Sequence, residues 1–118
     1  LNRRTDLIIS GGENIYPKEI EDTVYAMQGV KECAVIPVAD TKWGQVPALF
    51  VAFDDIDALG ADLKMIVRDY LSSKLAKYKV PKYITIMDAL PRNGTGKIMR
   101  KSLAAHLDMT ASNGGSHE

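Results

Sequence analysis

The sequence has one cysteine, one tryptophan, two histidines and a formal net charge of zero over 118 residues. A single cysteine excludes a disulfide framework. His106 and His117 have no ligand partners at metal-binding spacing, so no metal site is assigned. The neutral charge argues against a general nucleic-acid binder. No apolar stretch approaches the roughly 20 residues of a membrane-spanning helix, and no signal-peptide pattern opens the chain. Internal repeats and low-complexity segments are also missing. The length fits one domain with a modest core, and the default expectation is a soluble, cytoplasmic domain.

The zero is an average. Residues 1–62 carry five bases and eleven acids, a balance of −6, and residues 63–118 carry ten bases and four acids, a balance of +6. Within 72–101 stand Lys74, Lys77, Lys79, Lys82, Arg92, Lys97, Arg100 and Lys101, with Asp88 the sole acid. The basic half either solvates helix faces or meets an anionic ligand. The early acids, on the first helix and in the Asp54–Asp57 loop, need no explanation beyond solvation. The chain opens Leu-Asn-Arg-Arg rather than with Met, and is expected to be a piece of a longer protein.

Hydrophobic period and breakers predict the elements. Thr5–Ile9 is extended and ends in Ser10-Gly11-Gly12, where glycine frees the backbone. Tyr16-Pro17 starts a helix with Glu19, Glu21 and Asp22 early in it, favourable to the helix dipole. Ile20, Val24 and Met27 form its buried stripe, and Gly29 stops it. Val30–Ala39 is a strand that Pro37 weakens or places at an edge. After a turn at Asp40–Val46, the apolar run Pro47–Phe53 pairs with it as an antiparallel hairpin. From about Ala61 a helix carries Leu63, Ile66, Val67, Tyr70, Leu71 and Leu75 at helical spacing, and it ends before Pro81. Tyr83–Met87 is a third strand, Leu90–Lys97 a loop, and Met99–Leu107 a short final helix. Residues 1–109 thus form one domain, and residues 110–118 a flexible tail lacking core-forming residues. The order α-β-β-α-β-α gives an α+β class: a small sheet of about three main strands covered on one side by helices, with short hairpins at the early glycine loop and the late lysine loop.

Two segments can carry chemistry. The first, Leu90–Lys101, reads Leu-Pro-Arg-Asn-Gly-Thr-Gly-Lys-Ile-Met-Arg-Lys. Glycines immediately before Lys97 let the chain turn and project an ammonium, suited to an oxygen whose charge grows during reaction. It is no Walker loop, because the spacing differs and Ile98 supplies no hydroxyl for Mg²⁺. The plainer alternative is a hairpin tip with a solvated lysine. The second, Arg3–Glu21, places Gly11-Gly12 where free N–H groups and missing side chains leave room for a slender ligand. The plainer alternative there is an ordinary turn feeding a helix.

Together these segments resemble the C-terminal domain of the adenylate-forming superfamily, which includes acyl-CoA synthetases, aryl-CoA ligases, peptide-synthetase adenylation domains and luciferases. The likeness runs from Arg3 to about Leu107. Arg3-x-x-Asp6-Leu-Ile-Ile-x-Gly-Gly-Glu-Asn-Ile-Tyr-Pro-x-Glu-Ile-Glu21 is similar to the family's hinge motif, and Leu90-Pro-x-x-x-x-Gly-Lys97 to its catalytic-lysine motif. Asp40-x-x-Trp-Gly-Gln and Leu75-Ala-x-Tyr-Lys-Val-Pro-Lys82 lie between them in the order the family has.

The resemblance implies a two-step reaction: a carboxylate and ATP give an acyl-adenylate and pyrophosphate, and CoA then gives a thioester and AMP. A large N-terminal domain of the same chain would hold the small carboxylic acid, most of the nucleotide and its Mg²⁺, while this domain closes over the site and rotates between steps. By the same resemblance Lys97 is the catalytic lysine of adenylation, Arg3 contacts ATP, and Thr5 is the hinge. Most members have Asp or Lys at the hinge, so Thr5 is a departure, as is Asn2 for the usual Gly. Gly11 and Gly12 would line the pantetheine path. Trp43, Tyr78 and Lys82, with Lys79 as a further candidate, would meet the CoA nucleotide. For the two aromatics, simple packing is the alternative. Val80 stands where some relatives carry a base. Cys33, in an apolar strand, reads as inert core.

The segment Arg3–Pro17 is most similar to the bacterial o-succinylbenzoate–CoA ligase subgroup of menaquinone biosynthesis, where a small hydroxyl residue at the hinge also occurs. The alternative is another acyl- or aryl-CoA synthetase, because the acyl pocket would lie outside this chain. A competitor of another class is a stand-alone nucleotide- or protein-binding module. Oligomeric state and resting conformation have no signature in the sequence.

Overall fold

In a computed structural model, residues 7–54 and 62–109 are described. Arg3 and Thr5, the acids of the Asp54–Asp57 loop beyond Asp54, and the tail from Thr110 lie outside them. The chain opens with a hairpin of β1 (Ile8–Ser10) and β2 (Glu13–Ile15), paired antiparallel with Ser10 opposite Glu13. Gly11 and Gly12 form its two-residue loop at φ +58° and +86°, the pair of positive angles that tight hairpin loops demand. Helix α1 (Pro17–Tyr25) follows, with Pro at its first turn and Pro17, Ile20 and Val24 buried. Met27 lies past the helix end, partly buried against the same core.

Strands β3 (Val30–Asp40) and β4 (Gly44–Phe53) make the predicted antiparallel hairpin, with a bulge between Val30 and Glu32. Pro37 faces Pro47 across it, and β3 is an edge strand, a position that tolerates proline. Helix α2 (Leu63–Lys74) begins at Asp62, whose carboxylate accepts the Met65 N–H at 3.1 Å, and buries Leu63, Val67 and Leu71. Ile66, among the residues at helical spacing, is 39% exposed. Strand β5 (Tyr83–Met87) then pairs parallel to β4, giving a mixed sheet of order β3-β4-β5. Helix α3 (Arg100–Leu103) continues as a 3-10 turn to His106, shorter than the helix expected over Met99–Leu107.

One expectation changes: the sheet is covered on both faces, not one. Central β4 is buried throughout Ala48–Phe53, so its alternate side chains need cover on both sides. Ile8, Ile15, Ile20, Val24, Leu49, Val51, Val67 and Leu71 form one core, under the β1-β2 hairpin, α1 and α2. Ala34, Ile36, Ala48, Phe50, Leu90 and Leu103 form the second, under α3 and the segment before it. Cys33 is buried in the first, where burial pushes its thiol up to about 12, so it stays protonated and unreactive. Among the described residues no helix is long and apolar enough to cross a membrane.

Candidate functional site

Lys97 closes a short hairpin in which Arg92 and Ile98 form an antiparallel bridge. The Asn93 side chain organises its interior: Oδ1 accepts the Thr95 N–H at 2.9 Å, the Thr95 hydroxyl at 2.8 Å and the Lys97 N–H at 3.0 Å. The Asn93 N–H donates back to the Lys97 carbonyl at 2.9 Å. Of the two glycines, Gly96 takes positive φ, +86°. The backbone of Lys97 is thus held at both its N–H and its carbonyl, while its exposed ammonium makes no ion pair among the described residues.

A second group gathers at the β3-β4 turn. The Gly11 N–H donates to the Trp43 carbonyl at 2.8 Å, and the Ile9 N–H to Gln45 Oε1 at 3.1 Å, so the glycine hairpin and the turn are joined. The Trp43 ring lies directly over Gly11: a Cβ there would stand 2.4 Å from Cε3. Gly11 therefore has a local packing reason to be glycine in addition to the ligand-clearance role read from the sequence. Gly12 has open space around it. Asp40 holds the turn, its carboxylate accepting the Lys42 N–H at 3.0 Å and the Trp43 N–H at 2.9 Å, and pairing with the Lys82 ammonium at 2.8 Å. The Lys82 ammonium, followed by these N–H groups, holds the Asp40 carboxyl below its ordinary value, and the same contact raises Lys82 above its own. Trp43 remains 43% exposed, with the Lys42 ammonium 4.9 Å from its ring centre. Of the CoA candidates, Gly11, Trp43 and Lys82 are thus linked through Asp40. Tyr78 stands apart on the 3-10 turn Lys77–Lys79, exposed beneath the Lys79 ammonium. Val80 packs partly buried against the first core.

The two groups sit at opposite ends of β3. The lysine hairpin is tied to Glu32, near its start, and the Trp43 turn to Asp40, its last residue. Eight residues of extended chain separate these acids by about 26 Å.

Sequence reasoning missed both carboxylates as organisers, and it misjudged the early acids. Glu19 pairs with Lys79, Glu21 with Arg100, Glu32 with Arg92 and Asp40 with Lys82. Four bases of the positive half thus answer four acids of the negative half, and of the first-helix acids read as merely solvated, Glu19 and Glu21 are in fact paired. The available signal was Glu32 itself, the third residue of the strand, an acid directly before the apolar run Cys33–Ala39.

The family described as AMP-binding enzyme C-terminal domain matches residues 19–97. The chain belongs to this family. The matched stretch includes Trp43, Tyr78 and Lys82 and ends on Lys97. A 2-succinylbenzoate–CoA ligase of Lactococcus lactis subsp. lactis is 56% identical over 103 residues, 87% of this chain and 21% of that protein. Among solved structures, the o-succinylbenzoate CoA synthetase of Bacillus subtilis in complex with its acyl-adenylate intermediate shares 41% identity at a TM-score of 0.72, over 87% of this chain and 20% of that one. A fatty acyl CoA synthetase of Mycobacterium tuberculosis shares 42% at a TM-score of 0.75, over 86% and 20%. The chain therefore spans about a fifth of the length of the curated relatives it matches.

Proposed function

We propose that this chain is the mobile C-terminal domain of an ATP-dependent acid–CoA ligase, acting on o-succinylbenzoate. The observation that carries the reading is the placement of two differently equipped loops at opposite ends of one strand. One offers an unpaired ammonium on a braced hairpin, and the other an exposed tryptophan linked through Asp40 to the paired base Lys82. A domain that serves two successive reactions by rotating needs two such faces. The 56% identity to a 2-succinylbenzoate–CoA ligase supports that choice of acid.

In the first step a carboxylate oxygen attacks the α-phosphorus of ATP, forming the acyl-adenylate as pyrophosphate leaves. Lys97 faces the oxygens on which charge accumulates, and a preorganised cation is most effective there. Arg3 assists at the nucleotide, and Thr5 provides the pivot. In the second step the CoA sulfur attacks the acyl carbon, AMP departs, and the thiol proton is released. Gly11 and Gly12 then border the pantetheine path, while Trp43, Tyr78 and Lys82 meet the CoA nucleotide. Lys82 must exchange or share its Asp40 partner to bind a phosphate, and Lys79 its Glu19 partner. Mg²⁺ accompanies ATP, held mainly by the N-terminal region.

The test is release of AMP by the full-length enzyme with ATP, CoA and a panel of aromatic, dicarboxylic and fatty acids. The reading predicts the highest kcat/KM with o-succinylbenzoate. A fatty acid as best substrate would replace the acid and keep the reaction, and no AMP release with any acid would refute the reading.

A further inference from the structure

Among the described residues Glu32 is the one charged residue buried as a whole, backbone and side chain together, at 6% exposed. It shares the sheet face of Ala34 and Ile36, where an aliphatic residue would fit the second core. Burying a carboxylate is unfavourable unless it is paired and hydrogen-bonded, and apolar replacements of such pairs are often no less stable. Its contacts all lead to the lysine hairpin. One oxygen accepts the Leu90 N–H at 2.9 Å, and the other pairs with an Arg92 guanidinium nitrogen. The other arm of the same guanidinium donates to the Gly96 carbonyl at 2.5 Å, the residue before Lys97. The bulge at the start of β3 falls beside Glu32, a device that re-aims a strand side chain.

We propose that Glu32 is a positioning residue for Lys97, acting through Arg92: one buried carboxylate clamps the entry of the hairpin at Leu90 and, by way of the arginine fork, its exit at Gly96. The inference rests on Lys97 being the adenylation lysine. Burial opposes ionisation of Glu32, but the Leu90 N–H and the Arg92 guanidinium outweigh it and keep the carboxyl below its ordinary value, so the clamp is charged at neutral pH. A bidentate fork is what lysine cannot supply, because its ammonium is a single point of charge. Arg92→Lys therefore keeps the ion pair and removes the bridge to Gly96.

The experiment measures each half-reaction separately in the full-length enzyme for Glu32→Gln, Arg92→Lys and Lys97→Ala. Adenylation is read by ATP–pyrophosphate exchange, and thioester formation by CoA-dependent consumption of supplied acyl-adenylate. Misplacing a catalytic group by about 1 Å can slow a reaction by roughly a hundredfold. Glu32→Gln and Arg92→Lys should thus lower the adenylation kcat by about 10- to 100-fold. The KM for ATP and the thioester step should stay within about twofold of the parent. If both half-reactions fall together, Glu32 merely supports the fold and the proposal is wrong. If adenylation is unchanged in both variants while Lys97→Ala abolishes it, the clamp alone is refuted. If Lys97→Ala itself adenylates at the parent rate, the lysine assignment fails and takes the clamp with it. Should Glu32→Gln lose its folded state, judged by thermal unfolding, Arg92→Lys decides, since that side chain is 44% exposed and keeps its charge.

Discussion

At the scale of single residues, Gly11 and Gly12 separate two reasons for glycine that look alike in sequence. Both need positive φ, which disfavours an L side chain by about 1–2 kcal/mol. Only Gly11 also lies under an indole ring. Gly12→Ala should therefore destabilise the 118-residue chain by about 1 kcal/mol in urea unfolding, and Gly11→Ala by about 2–4 kcal/mol, with a changed tryptophan fluorescence maximum. Equal effects would remove the packing argument. The glycine pair was legible as a special loop, but its contact with Trp43 was not, because 32 positions of chain separate the partners and no local pattern encodes the meeting. Lys97 was legible by its spacing after Gly94 and Gly96, and the side chain of Asn93, which braces the hairpin, passed unnoticed because Asn in a loop carries no distinctive signal.

At the scale of elements, β3 is the organising piece. It was read as a strand that Pro37 weakens or places at an edge, and it lies at the edge, with pairing that continues through Pro37. The unpaired edge is not bare: the Val35 N–H donates to the Glu21 carboxylate at 2.8 Å and its carbonyl accepts from Arg100 at 3.0 Å, tying α1 and the start of α3 to one residue. The parallel pairing of β5 with β4 had no local signature, since the crossover through α2 decides it. The carboxylates at the two ends of β3 set a pH dependence. Glu32 and Asp40 both ionise more readily folded than unfolded. Their stabilisation is thus complete above ordinary carboxylate values, roughly pH 4, and drains away as pH falls through their lower folded values. Lys79 and Lys82, raised by Glu19 and Asp40, behave oppositely. Their share is complete below about pH 10.4 and is lost as pH rises through their higher folded values. The buried Cys33 thiol, pushed up to about 12, also loses its share as pH rises above the ordinary thiol value of about 8.5. Unfolding midpoints in urea should therefore be flat between about pH 4 and about pH 8.5 and drop on either side, and Asp40→Asn should make the acid limb shallower. An acid limb of unchanged slope in Asp40→Asn would show that the Lys82 pair contributes nothing.

At the scale of the whole molecule, the opposed charges of the two halves of the chain resolve into cross-chain pairs, and the bases left unpaired become the informative ones. Composition announced the imbalance but could not say which bases were internally matched, because pairing is a property of the fold. Under the proposed function, the two ends of one sheet, about 26 Å apart along β3, would serve the two chemical steps. Trp43→Ala in the full-length enzyme should raise the KM for CoA by about tenfold, the loss of one stacking partner, and leave pyrophosphate exchange unchanged. A parallel loss of exchange would mean that the turn serves both steps or neither.

The most direct test of this division is the pair of half-reaction rates in full-length Lys97→Ala. Loss of a charge-stabilising donor costs about 10²–10³ in rate, so pyrophosphate exchange should fall at least that far. CoA-dependent turnover of supplied acyl-adenylate should remain at the parent rate. Parent rates in both steps, or equal losses in both, would contradict the account.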